Sequence, residues 1–468
     1  MRNNMLHKTA ILAVISALLF TGCSSGPAKE TEQPSTLKVM YFDESYFFQQ
    51  YGDLFTMKHP NIDIQVVSTQ SIDNSGKDYE KALDAFVEKE QPDVILLPNN
   101  NFARYASEGK LAELDTFIER DKYNTESIFP GMLDQMKEIG GGKLYGMSPY
   151  FYQEAIIYNV DLFKKYGVDV PHDGMSWQEL LDLARRFPTD GDEKSRVYGY
   201  GFPYSLGPSA LGQAIGRTEG LTDVNPDTLK VTVNTDSWKK AFQTAIDAVN
   251  SKAIYAPKED GFSGSMEDYY KSQLFLMGRI AITRGDPYVL QNVKDAKSAV
   301  KDYKPFQIGL VAGPVDPAQP DSTREASPGD IFAINVNSPN TDAAWEFLKF
   351  INGDEYAKIK SKSLGQNGLL SRMGYLTEYE GTSLEPLYKL KPVLDGILKN
   401  KDKIPNKFNN EFQTILDKEI GQVLDKKKSL DDALKAIQQQ GQAALDQAVK
   451  DKAAGKDTDG SRGTITVG

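Results

Sequence analysis

From Leu37 onward, short β-rich runs alternate with stretches of helical periodicity. Leu37-Lys38-Val39-Met40-Tyr41-Phe42 reads as a first strand ending in the polar loop Asp43-Glu44-Ser45, and Gln49 to Lys58 reads as a helix. His59-Pro60-Asn61 breaks the chain ahead of the strict alternation Ile62-Asp63-Ile64-Gln65-Val66-Val67. Tyr79, Leu83, Phe86 and Val87 recur at helical spacing, and Pro92 precedes Asp93 and the apolar run Val94-Ile95-Leu96-Leu97. Strand, helix, strand, helix, strand predicts a parallel α/β sheet. In open sheets of this kind ligands bind outside the carboxyl ends of the strands. The loops after Phe42 and after Leu97 are therefore the first places to look for a site.

Later helices announce themselves by caps and stripes. Ser176-Trp177-Gln178-Glu179 is a capping box, followed by Leu180, Leu183, Ala184 and Phe187 on one face. Asn340-Thr341-Asp342 opens a helix with Ala344, Phe347, Leu348 and Ile351 on one side. Ser429 to Val449 predicts a long amphipathic helix, after which the composition collapses into a low-complexity tail. At the other end, Arg2 and Lys8 precede the apolar run Thr9–Phe20, whose twelve residues fall short of the about twenty that span a bilayer. This is a signal-peptide pattern. Small residues then lead to Cys23, and Ser24 to Thr36 offers nothing to build a core from, which predicts a flexible tether.

Composition narrows the function. The chain has 468 residues, 40% of them hydrophobic and 25% charged, an ordinary globular balance. Its formal net charge of −11 counts against sequence-independent nucleic-acid binding, which relies on Lys and Arg at phosphates. Cys23 is the single cysteine, so no internal disulfide, Cys-rich zinc site or iron–sulfur cluster can form. The three histidines (His7, His59 and His172) are too scattered for a metal cluster, and no metal or cofactor is expected. No G-x-S-x-G elbow, P-loop or H-E-x-x-H run is present, and with Cys23 engaged and His7 removed no Cys–His dyad can be assembled. Binding is expected here, and catalysis is not. The acidic turn Asp190-Gly191-Asp192-Glu193 has hard oxygens suited to calcium but lacks a full loop pattern, so it reads as a solvated turn.

Two resemblances give these readings a context. The approach to Cys23 resembles a bacterial lipobox, in which the cysteine is acylated and becomes the new N-terminus, although Phe20 stands where that pattern usually has Leu; an ordinary signal peptide with an incidental cysteine is the alternative. From Gly142, the runs KLYGMSPY, IIYNVDLFKKYG, SWQEL, FLMGRIAI, GDPY, PGDIFAIN and AWEFLKF follow in an order that resembles the extracellular solute-binding proteins of ABC importers, the large family that includes maltose-binding protein. The resemblance implies an α/β, two-lobe, periplasmic-binding-protein-like fold with three interlobe crossings and a ligand cleft between the lobes. Carried onto this chain, it implies crossings near Pro149–Gln153, Thr283–Pro287 and Asn335–Asn340. The division it suggests is 1–22 signal, 23–36 tether, 37–149 with 285–335 as one lobe, 150–284 with 336–450 as the other, and 451–468 as a disordered tail. It further implies closure on ligand, delivery to permease subunits, and a lipid-anchored position on the extracytoplasmic face of the cell membrane.

Sugars present hydroxyl rims and apolar C–H faces, so a sugar site pairs aromatic platforms with polar side chains. Candidate ligand contacts are Asp43, Glu44 and Tyr46 after the first strand, Asn99 and Asn100 after the third, and Tyr150 and Tyr152 at the first crossing. Tyr204 in a Gly/Pro-rich loop completes the aromatic set, and Asp286 and Asp330 fall where the family places ligand-facing loops. Each has a plainer alternative: alternate tyrosines of a strand in the core, a solvated turn at Asp43 and Glu44, helix capping by the asparagines. Trp177, Trp238 and Trp345 all sit on helical stretches and are expected to fill packing positions, leaving stacking to Tyr and Phe. A polyamine or peptide binder, or a ligand-sensing lipoprotein, would share the fold.

Overall fold

The computed structural model describes residues 35–73, 79–192, 195–202, 207–255, 264–362, 364, 368–394 and 403–454. The signal, most of the tether, Cys23, Tyr204 and the tail from residue 455 lie outside the described residues. In chain order, β1 (Ser35–Tyr41), β2 (Ile62–Ser68), β3 (Val94–Leu97) and β4 (Gly146–Met147) come first. Then β5 (Tyr150–Tyr152) leads to β6 (Ala155–Asn159), β7 (Tyr198–Gly201), β8 (Ile254–Tyr255), β9 (Ile280–Gly285) and β10 (Ile308–Val311). The chain returns through β11 (Ser327–Pro328) to β12 (Ile331–Ile334) and leaves again past β13 (Leu369–Leu370).

These strands make two five-stranded sheets. The first has the order β2-β1-β3-β12-β4, with β1 parallel to β2 and β3 as the sequence alternation predicts, and β12 antiparallel to β3. The second has the order β8-β7-β9-β6-β10. The first is the centre of one lobe, the second of the other. The capping box at Ser176–Glu179 is present, as is the long helix near the end, which runs from Leu430 through Ala453, into the stretch expected to be tail. All three tryptophans are fully buried packing residues.

The expected lobe division needs three corrections. The first sheet starts at Ser35, inside the supposed tether, because Ser35 and Thr36 already pair with Ile62 and Asp63. The segment Thr283–Pro287 is no crossing: β9 is a central strand of the second sheet, paired with β6 and β7, and β10 pairs antiparallel with β6 in that same sheet. The second crossing therefore lies between Val311 and Ile331. Asn335–Asn340 is no crossing either. The helix Thr341–Ile351 lays Phe347 against Phe47 and Phe332 of the first lobe, because its apolar face matches that sheet, and the third crossing begins only at Leu369.

The crossings pair with one another. β5 sits between β11 and β13 in a three-stranded antiparallel sheet with one strand from each crossing. A second pairing joins Ser322–Thr323 of crossing two to Lys391–Pro392 of crossing three. Gly368 enters β13 at φ +93°, and a Cβ there would lie 2.5 Å from the Phe151 carbonyl oxygen. Gly368→Ala is expected to lower the unfolding free energy by about 1–3 kcal/mol. Gly374→Ala, at φ +86° with open space around it, should cost less. Urea denaturation of the two variants checks the order; equal losses would mean that the crossing sheet yields freely.

Candidate functional site

The carboxyl ends of β1 and β3 open onto a cavity of about 390 Å³. Its wall includes Tyr41, Phe42, Thr69, Tyr79, Asn99 and Tyr152, with Asp330 among them. Backbone geometry supplies each part. Tyr41 ends β1, and Asn99 opens the helix Asn99–Ser107 directly after β3. Tyr152 ends β5, and Asp330 occupies the short link between β11 and β12. First-lobe strand ends and two crossing segments thus meet at one point.

Asp330 is the polar centre of this wall. Its Oδ2 accepts from the Tyr51 hydroxyl at 3.1 Å and the Tyr41 hydroxyl at 3.3 Å. Tyr51 reaches it from a π-helical turn, Phe48–Gly52, inserted in the helical stretch after β1. Burial pushes the Asp330 carboxyl above its ordinary range, and the two tyrosine hydroxyls oppose that rise. Behind it, Tyr150 and Tyr356 share a 3.0 Å hydroxyl contact, and Tyr356 donates to the Gln50 carbonyl oxygen. Burial pushes the Tyr150 hydroxyl up to about 12.

Of the sequence candidates, Asn99, Tyr152 and Asp330 line the cavity, and Tyr152 is 42% exposed. Asn99 and Asn100 do not cap: Pro98 occupies the N-cap position with no side-chain bond, and Asn99 Oδ1 is buried without a hydrogen-bond partner. Tyr46, 37% exposed, stacks on Tyr41 with ring centroids 6.3 Å apart. Asp43 is the N-cap of the short helix Glu44–Phe47, accepting from Tyr46 N and from Gln70 Nε2, and Glu44 is exposed in that helix's first turn. Both match the solvated-turn alternative. Tyr150 is only 6% exposed and is a core residue beneath the site. Tyr204 lies outside the described residues.

Asp286 stands on the second-lobe side, immediately after β9, and accepts from Tyr288 N at 2.8 Å. Burial raises its carboxyl, and that backbone bond partly counters the rise. Beside it the Arg284 guanidinium lies 2.6 Å from Glu154 and 3.6 Å from Glu325, with its carbon 5.4 Å from the Trp177 ring centroid. The buried Tyr200 hydroxyl and Gln153 Oε1 have no hydrogen-bond partner there. Sequence reasoning did not select Tyr41 or Tyr79 for the wall, nor Tyr51 as the buried support of Asp330. The strand-end rule pointed to the loop after Tyr41 and could have included Tyr41 itself. Nothing local signals that a π-turn aims Tyr51 at Asp330.

The comparisons with known proteins agree with this architecture. The family model for bacterial extracellular solute-binding proteins matches residues 34–358, and the chain belongs to that family. A probable ABC transporter-binding protein from Deinococcus radiodurans is 24% identical over 240 residues, 50% of this chain and 53% of the relative. The chain thus spans about half the length of that curated relative. Among solved structures, a family 1 extracellular solute-binding protein from Alicyclobacillus acidocaldarius aligns with a TM-score of 0.65 at 16% identity, covering 89% of this chain and 100% of the other. An ABC substrate-binding protein from Listeria monocytogenes, solved in complex with cycloalternan, aligns at 0.55 and 21% identity, covering 88% and 100%. A sugar transporter protein from Rhizobium etli in an open conformation aligns at 0.61 and 19% identity, covering 87% and 99%. At these identities the likeness is one of fold, the two-lobe solute-binding architecture.

A raised carboxyl pKa makes the site a local cost to the empty protein. Below its ordinary value of 3.8 Asp330 is protonated folded or unfolded; as pH rises through its raised folded value, stability is lost. Asp330→Asn keeps an acceptor for Tyr41 and Tyr51 but carries no charge. The ligand-free variant should be more stable than the parent at pH 7, on the order of 1 kcal/mol, the scale of relieving one poorly compensated buried group. The gain should shrink on acidification. Calorimetry at stepped pH reads it, and a variant less stable at pH 7 contradicts it.

Proposed function

We propose that this solute-binding protein captures a sugar or oligosaccharide between its lobes and hands it to the permease of an ABC importer. The observation that carries the reading is the cavity at the strand ends, where tyrosine faces, an unpartnered asparagine oxygen and a carboxylate converge. Aromatic faces suit the C–H surface of a sugar ring, and the polar atoms suit its hydroxyls. The Listeria relative's bound cycloalternan supports the ligand class. Ligand that touches Tyr152 and Asp330 on one side and the Asp286–Arg284 wall on the other favours the state in which the lobes approach, and so shifts the population toward closure. Binding without turnover is the task on this reading.

Anchoring belongs to the same reading. The cysteine at position 23 is acylated after cleavage of the signal, holding the protein at the extracytoplasmic face of the cell membrane by its tether. Cys23→Ser should release the protein from the membrane fraction into the soluble fraction, and retention in the membrane fraction would refute the anchor.

A thermal-shift screen of the mature protein against mono-, di- and oligosaccharides tests the ligand class. A cognate sugar at a hundred times its Kd should add about 2.7 kcal/mol of stability. It should also reduce the radius of gyration measured by small-angle X-ray scattering. Tyr152→Ala should weaken that sugar by about 1–2 kcal/mol, roughly 5–30-fold, through lost stacking and buried area. Hydrolysis of a bound glycan by pure protein, or a response confined to peptides, would overturn the reading.

A further inference from the structure

The cavity wall holds four aromatic rings and the carboxylate of Asp330, and none of its lining residues is basic. The imbalance continues across the cleft. Among the described residues neither Asp330 nor Asp286 has an ion-pair partner; tyrosine hydroxyls and one backbone N–H are what bond them. Tyr152 lies within electrostatic reach of both carboxylates. Farther along, Glu154 and Glu325 share the Arg284 guanidinium. Cations thus act at the Glu154 end, where Arg284 and Arg217 both bear on Glu154, whereas Asp330 and Asp286 have no ion pair among the described residues.

A neutral sugar does not demand this. Asparagine, glutamine and serine hold hydroxyls without the cost of sequestering a charge, whereas a carboxylate withdrawn from water without a cation is expensive. Such a cost makes sense where the ligand supplies the missing positive charge. Aromatic faces act in the same direction, because their quadrupoles attract cations held within about 6 Å. Tyr41 and Tyr46 already stack beside Asp330, and Tyr152 presents an exposed ring next to it.

Resting on the reading of this cavity as the solute site, we propose that the solute carries a protonated amine, seated against Asp330 and flanked by the rings of Tyr41, Tyr46 and Tyr152. Anionic solutes such as uronic acids and sugar phosphates are repelled by the same groups. Two sources share the chemistry: an oligosaccharide with a free amino sugar, and a linear polyamine.

Isothermal titration calorimetry on the mature protein separates the possibilities. The probes are glucosamine oligomers, their N-acetylated counterparts of equal length, oligogalacturonate, and spermidine. At least one amine-bearing probe should bind about tenfold or more tightly than the N-acetylated oligomer, and oligogalacturonate should not bind. Asp330→Asn should remove about tenfold or more of the affinity for the amine and cost the N-acetylated oligomer distinctly less. Asp286→Asn provides a second carboxylate variant, and a melting curve on each variant shows that it is folded. Spermidine binding alone upholds the amine and overturns the carbohydrate reading. Equal or tighter binding of the N-acetylated oligomer upholds the carbohydrate reading and overturns the amine. Silence toward both amine-bearing probes overturns the amine, as does undiminished amine affinity in folded Asp330→Asn.

Discussion

The fold depends on how three passages of chain cross between two lobes without leaving backbone groups stranded. Each sheet satisfies its own strands, but a crossing segment belongs to neither sheet, and buried backbone N–H and C=O groups must find partners. Here the partners are the other crossings. β5 bonds to β11 on one side and β13 on the other, and Gly329 N donates to the Tyr150 carbonyl while Ser371 N donates to that of Pro149. Residues far apart in sequence are thereby fixed side by side where the chain passes from one lobe to the other. A narrow antiparallel sheet can twist while keeping its hydrogen bonds, which is the mechanical requirement for lobes that open and close.

The same arrangement explains the electrostatics of the cavity. Asp330 is carried by the link between β11 and β12, so it is pressed toward the first lobe where Tyr41 and Tyr51 meet it. Those hydroxyls donate bonds but bring no charge. The carboxylate is thus ordered but not neutralised, and the empty protein bears the cost. Binding sites commonly keep such local penalties, because the ligand is what relieves them. The Arg284 cluster is built the opposite way: its cation is matched within the protein by Glu154 and Glu325. One wall is internally compensated and the other is not, and the asymmetry points ligand charge toward the first lobe.

Legibility in the sequence followed the locality of the forces. β1, β2 and β3 could be read because their alternation and flanking breakers are local, and the capping box at Ser176 is fixed within four residues. The partner of Ile308–Val311 could not, because a four-residue apolar run says nothing about which sheet it joins. The crossing strands are two or three residues long, too short for any period to show, so two of the three crossings were misplaced. Helical periodicity did reveal the apolar face of Thr341–Ile351, but only its contact with Phe332 assigns that face to the first lobe. In the site, strand-end logic and family resemblance reached Asn99, Tyr152 and Asp330, whereas the buried position of Tyr150 was a matter of tertiary packing. Tyr51 was hidden because a π-turn shifts which side chains face the sheet.

That tyrosine replaces tryptophan in the cleft is more than a change of platform. Tryptophan offers one donor and a large face; here its three copies fill helix–sheet packing, where area counts most. Tyrosine offers a hydroxyl that can donate and accept, and the site uses that capacity to link lobe and crossing. Tyr41 and Tyr51 tie the first lobe to Asp330, while Tyr150 on β5 meets Tyr356 behind them. Tyr152, at the end of the same β5, pairs across the ladder with Ser327, three residues before Asp330. The ring that a solute would stack on ends one strand of the crossing sheet, and the carboxylate it would neutralise follows directly after the neighbouring strand. On the proposed reading, a solute engaging both would fix the twist of that sheet and so join recognition to closure.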